Sequence, residues 1–171
     1  MDWIVHLLVP WMGAKILQIR YSGFSDRYIA LVMLGAVLPD VGAVGYLLQW
    51  AGFNYGGALL PFHTLIGSVL VAALVSMVFA RKAQTFSFLA IGFAAHYALD
   101  SLLMHASGGM VLLFPFSWDF GFQFGIVPTN SWVPVIITVT AAVLLFISLR
   151  LKNREKSLTA TQANESNGHP V

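Results

Sequence analysis

A histidine and an aspartate four residues apart, His96 and Asp100, form the pattern with the clearest chemical meaning in this sequence. In an α-helix, residues at positions i and i+4 project from the same face. An imidazole nitrogen beside a carboxylate oxygen can bind a divalent metal ion. The two side chains could equally satisfy each other as a buried pair, and the spacing leaves both interpretations open.

Three further residues can supply nitrogen or oxygen ligands, and each also has a simpler interpretation. Asp40 follows a proline and can be a metal ligand, a general base or a helix cap. His63 precedes an apolar stretch, where it can cap a helix or lie at headgroup depth, and His6 interrupts the first apolar stretch. Together with His96 and Asp100 they predict a divalent metal site that suits Zn²⁺ best, with Mn²⁺ or Fe²⁺ as alternatives.

The amino-acid composition indicates a membrane protein. Of the 171 residues, 58% are hydrophobic and 9% are charged, whereas soluble domains carry about 25% charged residues. The chain has no cysteine, which excludes disulfides and thiolate ligands. A formal charge of +2 is too small to predict a nucleic-acid partner. The apolar composition instead predicts membrane lipids as partners, including a possible lipid-like substrate. The oligomeric state cannot be predicted.

The apolar segments predict an all-α integral membrane protein, a bundle of about four to five transmembrane helices with one interfacial or re-entrant segment. The candidate spans are residues 3–19 (short enough to lie in the interface instead), 28–50, 62–80, 86–106 and 131–149. Pro39 predicts a break within the second span. Residues 107–130 are the predicted interfacial or re-entrant segment. Residues 1–149 form the predicted transmembrane domain, and 150–171 a disordered cytoplasmic tail.

The basic residues predict a multi-pass membrane protein with a cytoplasmic C-terminus. They form three groups: Lys15, Arg20 and Arg27; Arg81 and Lys82; and Arg150, Lys152, Arg154 and Lys156. Lysine and arginine favour the cytoplasmic side, and five spans place all three groups there. The five candidate ligands then share the middle and outer part of the membrane, which predicts a single site.

The order of these motifs resembles the membrane-bound metal-dependent hydrolase family, a group of small prokaryotic inner-membrane proteins. The matching elements are His6, Leu38-Pro39-Asp40, Phe62-His63-Thr64, His96 to Asp100, and Leu112-Leu113-Phe114-Pro115-Phe116-Ser117. The preferred ligands are His63, His96 and Asp100, with Asp40 as a ligand or general base and His6 as an auxiliary ligand. Asp40 and Asp100 are the candidate catalytic residues. The resemblance also implies a location in the plasma (inner) membrane. The chain departs from the family pattern at Gly42 and Ala58, where many members carry Asp and His.

The predicted activity is metal-dependent hydrolysis of an ester or phosphoester in a lipid-like substrate. A site in the outer half of the bilayer meets headgroup esters more readily than soluble metabolites. No Gly-x-Ser-x-Gly motif, Cys–His pair or glycine-rich phosphate loop is present, so the sequence gives no support to covalent catalysis. The alternative is a non-enzymatic ion-binding, transport or regulatory membrane protein.

Overall fold

The computed structural model describes residues 3–21, 24–54, 60–104, 110–111, 113–118, 123–128 and 131–167, and these are mostly helical. The α-helices are α1 (Trp3–Arg20), α2 (Asp26–Val37), α3 (Val44–Trp50), α4 (Leu65–Ser76), α5 (Lys82–Leu102) and α6 (Val133–Asn167). A first 3-10 helix, Leu38–Ala43, joins α2 to α3, and a second, Leu60–His63, precedes α4. The strands β1 (Leu103–Met104) and β2 (Val127–Pro128) pair in parallel.

The prediction of four to five transmembrane helices is wrong. Within the described part of the chain, one helix is long and apolar enough to cross a membrane, α6 over Val133–Thr159. A bilayer core of about 30 Å requires about 20 apolar helical residues, but α2 and α4 have 12 residues each. The apolar stretches 28–50 and 62–80 are divided by 3-10 helices and turns, which a count of apolar residues does not detect. Helices α1 and α5 are continuous and long enough, but their mean hydropathy is too low for a candidate span.

The predicted break at Pro39 is observed. Helix α2 ends at Val37, and the first 3-10 helix contains Pro39 near its start. Proline lacks the N–H that would continue the α-helical hydrogen bonds, and its ring clashes with the preceding turn. Asp40 therefore lies on a 3-10 helix at the end of α2 rather than on a continuous helix face.

Helices α2 and α5 cross at two glycines. A Cβ atom on Gly92 would lie 2.7 Å from the Ala36 nitrogen, and one on Gly35 would lie 2.8 Å from the Leu89 Cα. Neither position has room for a side chain, so the two backbones are in direct contact. Leu89 continues into a buried core that includes Phe93 and extends to α4.

Helix α1 packs against α2 and α6. Near its C-terminal end, the Lys15 ammonium donates hydrogen bonds to Asp26 Oδ1 at 2.7 Å and to Gln18 Oε1 at 2.9 Å. The Gln18 amide also donates to Asp26 Oδ1, at 3.0 Å. The hydrogen bonds from Lys15 and Gln18 hold the pKa of Asp26 below its ordinary value. Asp26 is therefore a carboxylate at neutral pH and neutralises Lys15.

The described parts of residues 107–130 are not helical. They return to the end of α5, where the Phe124 amide donates to the Ser101 carbonyl at 2.6 Å and the Ile126 amide to the Leu102 carbonyl at 2.9 Å. Helix α6 continues to Asn167, well into the segment for which disorder is predicted. The division into a membrane domain and a separate tail remains a prediction.

Candidate metal centre

The structure brings all five predicted residues into one group, called here the His/Asp cluster. His6 comes from α1, Asp40 from the first 3-10 helix, His63 from the end of the second, and His96 and Asp100 from α5. Residues that are up to 94 positions apart in the sequence therefore meet in one place. Their roles as ligands or catalysts remain predictions.

Three atoms of the cluster form a nearly equilateral triangle. His96 Nε2 lies 3.1 Å from His63 Nε2 and 3.1 Å from Asp100 Oδ2. The third side, from His63 Nε2 to Asp100 Oδ2, is 3.2 Å. The i, i+4 spacing on α5 supplies one side of this triangle, and His63 reaches it from the neighbouring 3-10 helix.

The other two residues lie against different sides of the triangle. Asp40 Oδ1 is 3.5 Å from His63 Nε2 and 3.8 Å from His96 Nε2. His6 Nε2 is 3.0 Å from Asp100 Oδ1, the carboxylate oxygen outside the triangle, and the His6 ring lies 4.3 Å from the His96 ring. The cluster contains two overlapping groups whose ligand atoms lie within 4.8 Å of one another: His63, His96 and Asp100, and His6, Asp40 and His96.

A backbone carbonyl fixes the orientation of the His96 ring. His96 Nδ1 lies 2.8 Å from the Ala36 carbonyl oxygen. Because a carbonyl can only accept, Nδ1 carries the proton, and Nε2 of the neutral ring presents a lone pair to the cluster. Ala36 lies in the last turn of α2, where carbonyls lack α-helical partners. The contact of α2 with Gly92, one turn before His96, brings this carbonyl within reach.

The end of the second 3-10 helix holds His63 in place. The next residue, Thr64, is the N-cap of α4, and its hydroxyl accepts a hydrogen bond from the Gly67 amide at 3.1 Å. The same hydroxyl donates to the Pro61 carbonyl at 2.6 Å. A Cβ on Gly67 would overlap the Pro61 carbonyl. The turn that carries His63 is therefore fixed from both sides.

A second pair of hydroxyls joins α4 to α5 beside the cluster. Ser68 Oγ donates to the Phe62 carbonyl at 3.2 Å and lies 2.8 Å from the Tyr97 hydroxyl. Tyr97 follows His96 directly, and its ring lies 6.0 Å from that of His63. The two histidines are thus positioned by elements that are themselves hydrogen-bonded to each other.

The His/Asp cluster is buried on one side and accessible on the other. The side chain of His96 is fully buried, and those of His6 and Asp100 are 3% and 6% exposed. By contrast, Asp40 is 20% and His63 is 33% exposed. The accessible side is therefore the one formed by the two 3-10 helices, and a small molecule can approach the triangle there.

A small apolar cavity lies beside His6. Its volume is about 80 Å³, and its walls include Val5, Leu99, Leu102 and Val135. His6 itself forms part of the wall. Apolar space therefore adjoins the buried side of the cluster.

Three possible hydrogen-bond acceptors surround Nε2 of His63. His63 Nε2 faces His96 Nε2, Asp100 Oδ2 and Asp40 Oδ1 at 3.1, 3.2 and 3.5 Å. Burial lowers the pKa of His63, but the hydrogen bonds and charges of Asp100 and Asp40 outweigh it and raise that pKa to about 10. A single N–H of His63 cannot satisfy all three of these atoms at once.

Several supporting residues are absent from the sequence prediction. Ala36 contributes only its carbonyl, so its side chain gives no signal. Gly92 does give one, because it precedes His96 by four residues and lies on the same helix face. A glycine one turn from a candidate ligand indicates close backbone packing at that face. Ser68 and Tyr97 become interpretable only when α4 and α5 are seen side by side.

Comparison with known proteins places the chain in a membrane family. A family model described as YdjM inner membrane protein matches residues 1–163, which include all five residues of the cluster. No curated protein and no solved structure matches the chain. The family description names the inner membrane and no activity. Because the match covers almost the whole sequence, the chain belongs to the YdjM inner membrane protein family.

Proposed function

We propose that the His/Asp cluster binds a divalent metal ion, Zn²⁺ in preference to Mn²⁺ or Fe²⁺, and hydrolyses an ester or phosphoester in a lipid-like substrate. The triangle of His63, His96 and Asp100, with sides of 3.1 to 3.2 Å, carries this proposal. Metal bonds of about 2.0–2.1 Å separate neighbouring ligands by about 3.3–3.4 Å in a tetrahedral site and by about 2.9 Å in an octahedral one. The observed separations fall between these values.

Charge also supports the metal. If His96 donates from Nδ1, its Nε2 and the Asp100 oxygen are both acceptors, and they lie 3.1 Å apart. Two acceptors at this distance repel each other unless a cation lies between them. A divalent ion would also balance the two carboxylates of the cluster. Additional protons on the histidines could balance the carboxylates instead of a metal ion, and elemental analysis distinguishes these two states.

The position of each residue in the cluster would give it a different role in the reaction. A bound divalent ion lowers the pKa of water and polarises a carbonyl or phosphoryl oxygen. Asp40 lies farther from the triangle, on the accessible side, where it can take a proton from an attacking water. Asp100 holds His6 with one oxygen and faces His63 and His96 with the other. It therefore fixes the charge and geometry on which the reaction depends.

Two observations favour a lipid-like substrate. The chain belongs to an inner-membrane family, so lipids are available at high concentration. The apolar cavity beside His6 shows that the surroundings of the cluster are apolar on its buried side. If the protein binds metal without turnover, ion binding or regulation becomes the better interpretation.

Elemental analysis of detergent-purified protein tests the metal. Wild type should contain nearly one transition metal ion per chain, and His96→Ala and Asp100→Asn should lose it. His169→Ala, which changes a histidine far from the cluster in the sequence, is the matched control and should keep it. A metal-free wild type that remains folded and cannot be loaded would show that the cluster is a hydrogen-bonded network.

A hydrolysis screen of metal-loaded protein tests the catalysis. Asp40→Asn should retain metal while losing about 10² to 10⁴ in rate, the usual contribution of a general base. Asp26→Asn, a carboxylate on the outside of α1 and α2, should keep full activity. Lipid esters and phosphoesters serve as substrates. Equal background rates in wild type and Asp100→Asn would leave ion binding or regulation as the function.

We also propose that the basic end of α6 faces the cytoplasm. The helix is apolar to Leu149 and then carries Arg150, Lys152, Arg154 and Lys156, a pattern typical of the cytoplasmic side. The chain has no native cysteine, so Ser157→Cys introduces a single thiol. An impermeant thiol reagent should label it after permeabilisation only. Labelling in intact cells would show that the basic end of α6 faces the outside of the cell, and the proposed orientation would be wrong.

A further inference from the structure

A second cavity lies at the opposite end of α1 from the His/Asp cluster. It has a volume of about 560 Å³, is open on one side and is lined by α1 and α6. His6 and Lys15, which mark the two sites, are separated by roughly 14 Å along the axis of α1. The cavity has the size of small-molecule binding sites and shares no lining residue with the cluster.

The second cavity is strongly basic. Lys15, Arg150, Lys152 and Lys156 line it, and no carboxylate is among its described lining residues. Asp26, at 2.7 Å, neutralises Lys15 from outside the cavity. Three positive charges remain without a carboxylate in the wall. This basic cavity is therefore suited to an anion with more than one acceptor oxygen.

An apolar groove leads into the basic cavity. The groove has a volume of about 340 Å³, lies between α1, α2 and α6, and is lined by residues such as Leu8, Met33 and Val143. Trp11 and Phe146 line both the groove and the basic cavity. The two spaces therefore adjoin along these two side chains, and together they offer a basic part and an apolar part.

The junction lies where α6 changes from apolar to basic. Phe146 belongs to the apolar part of the candidate span, and the Arg150 guanidinium lies 5.1 Å from the centre of its ring. In a membrane, this change marks the passage from hydrocarbon to headgroups. Basic pockets at this depth recognise anionic headgroups. An adjoining apolar groove would serve no purpose for a soluble anion.

We propose that α1 and α6 bind an anionic phospholipid, with its headgroup phosphate in the basic cavity and an acyl chain along the apolar groove. The proposal does not depend on the metal or on hydrolysis. It also explains why Phe146 is half exposed, since an acyl chain would cover it.

Lipid binding can be measured on the full chain in detergent by quenching of tryptophan fluorescence. The probe is phosphatidylglycerol with brominated acyl chains, with brominated phosphatidylcholine as the zwitterionic comparison. Trp11 lines both parts of the site, so Trp11→Phe should remove most of the specific quenching. Phosphatidylglycerol should quench at lower concentration than phosphatidylcholine. Equal quenching by the two lipids would overturn the proposal.

Variants of two arginines on α6 test whether the lipid binds at a specific site or is attracted by the surface charge in general. Both are exposed, but Arg150 lines the basic cavity and Arg154 lies outside it. Arg150→Gln should weaken phosphatidylglycerol binding about fivefold, and Arg154→Gln less than about twofold. Equal losses would mean that the lipid is attracted by surface charge alone. If Arg150→Gln fails to fold, Lys156→Gln replaces it in the comparison.

The groove is tested by a matched pair of neighbouring residues. Val143→Gln makes the groove polar and should weaken binding of long-chain phosphatidylglycerol. Leu144→Gln changes an exposed apolar residue outside the groove and should have no effect. Inorganic phosphate should compete only weakly with the lipid. If phosphate alone binds as tightly, the basic cavity is a site for soluble anions and the lipid proposal is wrong.

Discussion

Replacing Gly92 by alanine should weaken metal binding although Gly92 is not a ligand, because the substitution disturbs the helix packing that orients His96. It lies where α5 crosses α2, one turn before His96. A Cβ there would overlap the Val32 carbonyl and lie 2.7 Å from the Ala36 nitrogen. All of these neighbours are backbone atoms, so the helices themselves must move apart.

The expected effect follows from the distances. Ordinary contact with a Cβ atom begins at about 3.4 Å, so the backbones must shift by roughly 1 Å at the crossing. The hydrogen bond from His96 Nδ1 to the Ala36 carbonyl, now 2.8 Å, would then exceed the range of an effective bond. Overpacking costs about 1–3 kcal/mol of unfolding free energy. Losing a partner that orients a ligand costs about 10- to 100-fold in metal affinity.

The assay is a competition titration of metal against a chelator, together with a thermal unfolding curve. Gly13→Ala is the matched control, because nothing lies within 4 Å of a Cβ at that helical position. The control should be neutral or stabilising by up to about 1 kcal/mol. If Gly92→Ala binds metal as tightly as Gly13→Ala does, the Ala36 carbonyl does not orient His96, and the reasoning fails.

Two further predictions concern the proton and the turn at His63. Metal affinity should rise about tenfold per pH unit in neutral solution, because His63, with a pKa raised to about 10, must release a proton before it binds an ion. Metal titrations between about pH 6 and about pH 8 measure this slope. A metal affinity that does not change with pH would contradict the prediction. Thr64→Val removes the hydroxyl that caps α4 and binds the Pro61 carbonyl. It should lower the free energy of unfolding by about 1–2 kcal/mol in a thermal or denaturant assay, whereas Thr64→Ser should stay close to wild type.

The convergence of the cluster could be predicted only in part from the sequence. The pairing of His96 with Asp100 needs only the 3.6-residue period of a helix. The joining of His6, Asp40 and His63 to that pair depends on how α1 and the two 3-10 helices pack against α5. Five transmembrane spans would place these residues at a similar depth in the membrane, but that number of spans is wrong. The residues nevertheless lie together, which the shared order of the motifs also implied.

The number of spans could not be read from hydropathy because apolar residues do not specify helix length. Residues 28–50 are apolar throughout most of their length, but Pro39 divides them into α2, a 3-10 helix and α3. Residues 62–80 likewise contain the end of one 3-10 helix, a 12-residue helix and a turn. Backbone geometry and caps decide these lengths, and they respond to neighbouring elements as well as to the local sequence.

The arrangement of rigid and irregular elements suggests how the cluster could hold an ion. His96 and Asp100 lie on a 21-residue helix, and their separation is fixed by helix geometry. Asp40 and His63 lie on the two 3-10 helices, which pack against each other and leave these side chains partly exposed. The buried side of the cluster is therefore held mainly by one long helix, and the accessible side by two short 3-10 helices.

Metal binding should then contribute directly to the stability of the fold. Without a cation, the carboxylates of Asp40 and Asp100 lie close to three imidazoles and require protons for balance. An ion that binds only the folded chain stabilises it by about 2.7 kcal/mol at a free concentration 100 times its dissociation constant. That gain would be shared by α1, α5 and both 3-10 helices, since each provides part of the cluster. A bound ion would thus join four segments that the sequence keeps far apart.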